Sequence, residues 1–305
     1  MKFGGHETFF LRPGWLTKGL LYVNETENVV WNSDAASDSM GVGRNMSKSI
    51  GWWLNLTGLA HRPGRGEVIQ LTPLGEAVLE KDPYFTETAT WWFLHLVISL
   101  KSDEDVFTWF FQKGREDRFT KDTLHGELIR YLEETGQKVP ALKSLDRDIA
   151  VLHQSYARSV PAALDSDPED NLDCPFRRLG LLIHRSELKD FERRPTPARI
   201  PASAIGAALA LSLNQVLSGG KSDIPIDFTG PVRRIGRCFG LSADMTAEII
   251  MKAADALPSD LLAIRHLAGQ RVATLERQGV PAWYRHHFQT KPSQSPRPTR
   301  PRQVA

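Results

Sequence analysis

The stretch from Asn32 to Leu79 constrains this chain more than any other. Ser33 or Asp34 can cap a short helix running to about Met40, because a side-chain oxygen there accepts from an orphan N–H of the first turn. Gly41-Val42-Gly43 then breaks it. A second helix is predicted over residues 44–57, with Met46, Ile50, Trp53 and Leu54 spaced i, i+4, i+7 and i+8 on one face and Leu56 beside them. Gly58 supplies the left-handed residue that ends it. Two short strands follow, around residues 59–61 and 68–71, joined by Arg62-Pro63-Gly64-Arg65-Gly66. Thr72 then precedes Pro73, whose ring pre-sets φ for the first position of a helix through Leu79. Helix, tight turn, helix, β-hairpin, helix is the order of a winged helix-turn-helix.

The rest of the chain reads as mainly helical, which makes the fold class mainly α (α+β). Leu16, Leu20, Leu21 and Val23 mark a short helix ahead of the winged element, and the apolar run from Thr86 to Leu100 marks another behind it, with His95 as a satisfied core histidine. Helices are predicted at 120–135, 141–157, 202–217, 242–257 and 259–278. Residues 161–175 are acidic and punctuated by proline, the pattern of a linker or exposed loop. From Lys291 the chain is basic, proline-rich and without apolar periodicity, so it is expected to be disordered. The expected division is a winged helix-turn-helix domain over 1–100, a helical middle region over 101–160, a mostly helical domain over 176–280 and a basic disordered tail over 281–305.

Composition removes several classes. Two cysteines, Cys174 and Cys238, exclude a disulfide scaffold and a cysteine-based zinc finger, and are expected reduced and buried. No stretch has the length of a membrane span or the form of a signal peptide, so a soluble, cytoplasmic protein is expected. The net charge of +2 conceals a gradient: residues 1–100 hold 8 basic and 10 acidic side chains, 101–175 hold 10 and 16, and 176–305 hold 20 and 10. A basic C-terminal third fits a polyanion partner, or a solvated surface with a basic tail.

In a helix-turn-helix, the N-terminal residues of the second helix enter the major groove. Here they are Arg44, Asn45, Ser47 and Lys48, with His61, Arg62 and Arg65 at the hairpin, a set able to donate to phosphates and base edges. The alternative is a protein-interaction or dimerisation module, which the near-neutral charge of residues 1–100 also fits.

Catalytic patterns are sparse. His6 and Glu7 can hold a divalent ion or act as base and orienter, or form a polar anchor in which Glu7 pairs with Arg12 and Trp15 packs over them. Glu187-Leu188-Lys189, with Asp173 upstream, loosely matches the acid-x-Lys pattern of restriction-type nucleases. Asp146 and Asp148 lie two apart on a helix, about 200° around its axis, and cannot share one metal face. The phosphate loop, nucleophile elbow and zincin motifs are absent from the sequence.

Five blocks are more distinctive: GGHETFFLRPGWLTKG (4–19), MGVGRNMSKSIGWWL (40–54), LTPLGEAVLEKDPY (71–84), TWWFLH (90–95) and CPFRRLGLL (174–182). In this order they resemble a bacterial family of uncharacterised function associated with DNA phosphorothioation and phage defence, that of SspB-type nicking components. The resemblance implies a DNA nickase that opens one strand for sulfur incorporation. It also implies Mg²⁺ or Mn²⁺ held by carboxylates, for which Glu7, Asp34 and Asp82 are the candidates, with His6 as base. Implied partners are double-stranded DNA and the cysteine desulfurase, ATP pyrophosphatase and ATPase of such systems. A homodimer is expected from the habit of winged-helix proteins. The competing expectation is a non-enzymatic DNA-binding adaptor that recruits the sulfur-transfer enzymes.

Overall fold

The chain starts with a glycine- and aromatic-rich segment that leads into α1 (Trp15–Glu25), α2 (Asp34–Met40) and α3 (Arg44–Leu56). The computed structural model describes residues 1–63, 68–102, 105–114, 116–160, 174–196, 199–213, 220–227 and 230–289. Ser33 caps α2, its Oγ accepting from Ala36 N–H at 3.1 Å. Gly41, at φ 61°, closes α2 in the left-handed region and turns the chain into α3. Strands β1 (Ala60–His61) and β2 (Gln70–Leu71) pair antiparallel. Thr72 then caps α4 (Pro73–Lys81), its Oγ1 accepting from Gly75 N–H at 3.0 Å. The local signals between Asn32 and Leu79 therefore produce their elements in the predicted order. The hairpin tip at 64–67, which includes Arg65, lies outside the described residues.

Helix α5 (Thr88–Leu100) is apolar on nearly every side and is the central beam, as expected of a helix without a polar face. Next come α6 (Val106–Lys113), β3 (Arg118–Phe119), α7 (Lys121–Glu134), α8 (Leu142–Tyr156) and β4 (Ala157–Val160). After a 3₁₀ turn at Pro175–Leu179, strands β5 (Leu182–Arg185) and β6 (Asp190–Arg193) complete a sheet of order β3-β6-β5-β4, with β4 and β5 parallel. The C-terminal part contains α9 (Ala202–Ser212), β7 (Lys221–Pro225), α10 (Gly230–Phe239), α11 (Ala243–Ala256), β8 (Leu262–Leu267), β9 (Gln270–Glu276) and α12 (Val280–Gln289), with an antiparallel sheet of order β7-β9-β8.

Two expectations are corrected here. Residues 259–278 form the β8–β9 hairpin rather than a helix. Ala268 and Gly269, at φ 50° and 79°, both lie in the left-handed region, which is the two-residue turn whose twist suits paired strands. Residues 281–289, assigned to the tail, belong to α12, where Trp283 and Tyr284 are fully buried; residues 290–305 lie outside the described set, as do 161–173 of the predicted linker.

Packing crosses the predicted divisions. One apolar core runs from Leu11 to Tyr284. His95 on α5 ties it together: its Nε2–H donates to the Cys238 carbonyl of α10 at 2.9 Å, and its Nδ1 accepts from the Tyr156 hydroxyl of α8 at 3.0 Å. Burial lowers its pKa to about 4, partly offset by the Cys238 bond, so the ring is neutral near pH 7. Cys174 and Cys238 form no disulfide and are at zero exposure, as expected. No helix among the described residues is long and apolar enough to cross a membrane.

Candidate nucleic-acid interface and the polar recess beside it

The N-terminal segment separates His6 from Glu7. Gly4 and Gly5 take φ 74° and 88°, and Glu7 and Thr8 follow at 49° and 67°, conformations that cost a residue with a Cβ roughly 1 kcal/mol or more unless the surroundings hold them. Gly5 is needed for space as well, since a Cβ there would stand 2.5 Å from Trp52 Cδ1. This coil turns His6 inward, 2% exposed, and leaves Glu7 near Lys48 Nζ at 3.7 Å. His6 Nδ1 accepts from Thr8 N–H at 3.0 Å, so Nε2 carries the proton and donates to Asp148 Oδ1 at 2.7 Å. Asp148 Oδ2 also accepts from Gly4 N–H at 2.9 Å. Both His6 nitrogens are thus engaged, and the pair fastens the first residues to α8.

Beside this pair is a recess of about 190 Å³ lined by His6, Asp148, Trp52, Asn55, Lys101 and Asp105, among others. Asp105 accepts from Thr108 N–H at 2.9 Å, capping α6, and pairs with Lys101. Helix α3 forms one wall. Ile50, Trp53 and Leu54 are at zero exposure on its inner face, each contributing about 1.5–3 kcal/mol of burial. Its outer face carries Asn45, Lys48, Trp52 and Asn55 at i, i+3, i+7 and i+10, a stripe that runs from the helix N-terminus past the recess. At the far end Asn55 shares a shallow hollow with His61 and Arg62 of the hairpin.

Other expected contacts fall elsewhere. Ser47 is fully buried and donates to the Trp31 carbonyl at 2.7 Å, so it cannot touch DNA. Arg44 is exposed but bound to Asp34, with Nε to Oδ1 at 2.9 Å and Nη2 to Oδ2 at 2.8 Å. Asn45 and Arg62 are exposed and Lys48 is half-buried.

A family model described as a protein of unknown function, DUF4007, matches residues 3–283. This chain belongs to the DUF4007 family. No curated protein sequence matches it. Two solved structures do, each over 97% of this chain and 91% of theirs with a TM-score of 0.77: a magnesium ion-bound SspB crystal structure at 24% identity and an SspB crystal structure at 22%. At that identity the likeness carries the fold.

In this DUF4007 protein the three carboxylates expected to hold Mg²⁺ or Mn²⁺ do not come together. Asp34 is taken by Arg44. Asp82, 3% exposed, accepts from Thr86 N–H and Glu87 N–H and from the Thr86 and Thr90 hydroxyls, organising the start of α5. Glu7 faces Lys48. No three His, Cys, Asp or Glu side chains among the described residues converge as a metal cage, so the residues present do not fit a preformed protein-only site. Glu187 and Lys189 are exposed between β5 and β6, and Asp173 is outside the described residues. The residue sequence reasoning passed over is Asp148. The angular argument against a shared metal face holds: Asp146 lies 3.0 Å from His125, while Asp148 serves His6. Asp148 could have been found from its place among Leu145, Ile149 and Leu152 on the buried face of α8, because a carboxylate there needs a partner.

Proposed function

We propose that this protein is a DNA-engaging component of a bacterial DNA phosphorothioation system, docking the duplex on the outer stripe of α3 and the β1–β2 hairpin in the manner of a winged helix-turn-helix. The observation that carries the reading is the stripe itself: Asn45, Lys48 and Asn55 point outward and Arg62 stands at its end, while the opposite face of the helix is sealed into the core. Amide and cationic side chains in that order, with Asn45, Asn55 and Arg62 exposed and Lys48 half-buried beside Glu7 and Asn45, suit base edges and phosphates. The blocks of sequence that resemble SspB-type components supply the system, and the proteins that handle sulfur there are the proposed partners.

Strand nicking is the second reading, and the recess favours it. A duplex lying on the stripe would bring a phosphate to the mouth lined by Lys101, Asp105 and Asp148. In this reading His6 is a brace, because both of its nitrogens are already held in hydrogen bonds within the protein. The test is conversion of supercoiled plasmid to open circle by the full chain with Mg²⁺, Mn²⁺ or EDTA, run beside a binding titration. Salt-sensitive binding without nicking under any ion leaves the adaptor reading; nicking abolished by EDTA establishes the nickase. Glu7→Gln should keep both folding and whichever activity is found, since the ion pair Glu7 makes among the described residues is a partly exposed one with Lys48 at 3.7 Å. Loss of nicking with DNA affinity intact would return Glu7 to the chemistry.

A further inference from the structure

Across the sheet β3-β6-β5-β4 one row of side chains shares a face: Phe119, Phe191, His184 and Ser159, each directly paired with the next. His153 of α8 lies on this row, stacked on Phe191 with ring centroids 3.8 Å apart and an interplanar angle of 20°, and on Phe119 at 6.0 Å. His184 stacks on Phe191 as well, at 4.8 Å. The apolar end of the row is closed and its polar end opens into a recess of about 200 Å³ lined by Lys121, His153, Gln154, Ser159, Arg177 and His184. Among the described residues, no aspartate or glutamate lines it. Asp190, on the neighbouring strand, accepts from Arg185 Nε–H at 2.7 Å. His153 is 5% exposed, yet neither of its ring nitrogens has a hydrogen-bond partner among the described residues. A buried polar group left so is costly unless something completes it.

We propose that this recess binds a phosphate group. Arg177 borders it, with its Nε–H donating to the Gln154 carbonyl at 2.9 Å and its guanidinium over the Phe10 ring at 5.9 Å. Ser159 Oγ and His184 Nδ1 stand 3.4 Å apart across β4 and β5, and Lys121 projects from the first turn of α7. Together with His153 these give an ammonium, a guanidinium, a hydroxyl and two imidazoles around one opening, a donor set matched to phosphate oxygens. The site lies away from the α3 stripe and stands whether or not the stripe docks DNA. The phosphate could belong to a nucleic-acid end or be free in solution, and the two are separable.

The experiment uses the full chain. Inorganic phosphate, compared with chloride at matched ionic strength, should raise the thermal midpoint saturably, with affinity measured by calorimetric titration. His153→Phe preserves the stack and removes both nitrogens; Lys121→Ala changes an exposed residue and keeps the proposal testable should the first variant misfold. Each should weaken phosphate binding by about tenfold. A 5′-phosphorylated oligonucleotide that competes with phosphate better than its 5′-hydroxyl twin identifies a nucleic-acid end as the ligand, and equal competition assigns the site to free phosphate. No saturable effect of phosphate on the parent protein, or undiminished affinity in the folded variants, overturns the proposal.

Discussion

Helix α8 serves two regions with opposite characters. Asp148 reaches the N-terminal corner, and His153, about 140° further round the helix, reaches the recess on the sheet. Each region buries a histidine to a similar depth, 2% for His6 and 5% for His153. His6 has a partner on each nitrogen, whereas His153 has none among the described residues. The same side chain at the same depth therefore does different work. A satisfied imidazole fastens backbone to helix and is closed to chemistry; an unsatisfied one costs stability and keeps its capacity for a ligand. Depth of burial alone would have ranked the two together.

The largest expected effect tests the support of the corner. Trp53 is fully buried, and its Nε1–H donates to the Phe9 carbonyl at 3.3 Å. Trp53→Ala should cost about 3–5 kcal/mol in chemical denaturation. A loss below about 1 kcal/mol would show that the N-terminal segment does not rest on α3.

The contrast itself is sharpest in a pair of variants. Asp148→Ala leaves His6 Nε2–H and Gly4 N–H without acceptors and should cost about 2–6 kcal/mol, at about 1–3 kcal/mol for each stranded donor. His153→Phe, which removes two unpartnered nitrogens from an aromatic stack, should be neutral or stabilising in phosphate-free buffer. Equal destabilisation by both would erase the distinction.

Acid probes the open side. Burial first, then the charges of Lys121, His184 and His125, lower the pKa of His153 to about 3, against 6.5 for a free imidazole. The unfolded chain therefore binds a proton that the folded chain refuses, and stability is full above pH 6.5 and falls as pH drops toward 3. His153 should contribute about 1.4 kcal/mol of loss per pH unit in that window, near 2 kcal/mol by pH 5, and His95 a similar slope down to about pH 4. The measured slope should lessen in His153→Phe; an unchanged slope would mean that the ring is protonated in the native protein.

The smallest effects concern the outer stripe. Lys48→Ala and Arg62→Ala should each flatten the dependence of log K on log salt by about 0.9 if each meets a phosphate. Arg44→Ala should change it less, because its guanidinium is already held by Asp34. A larger change for Arg44 than for Lys48 would mean that the ion pair opens on DNA and that the sequence placed the contact correctly.

The chain's own signals were sufficient wherever they were local. Ser33, Gly41, Gly58 and Thr72-Pro73 specify caps and stops through bonds within a few residues, so α2, α3, the hairpin and α4 were legible in order. The spacing of Ile50, Trp53 and Leu54 set the buried face of α3. What that spacing could not show is Trp31 arriving from the preceding loop to cover Ser47 and Gly51, which leaves Ser47 inside and Asn45 and Lys48 out. The helix expected at 259–278 failed for the same reason in reverse, since strand pairing with β7 stabilises residues 272–276 from about fifty positions away.

The two histidine regions divide along this line. Sequence alone determined that His6 lies in a glycine- and aromatic-rich coil, and the spacing of Leu145, Ile149 and Leu152 held an unused sign that Asp148 shares their face of α8. Only the tertiary structure joined them, because the His6–Asp148 contact spans 142 residues. It likewise assembled the row of Phe119, Phe191, His184 and Ser159 from four strands that the helical reading of this part of the chain did not contain. Local hydrogen bonding decides caps and turns before any fold exists, whereas the partner of a buried charge or ring is chosen only when distant segments pack.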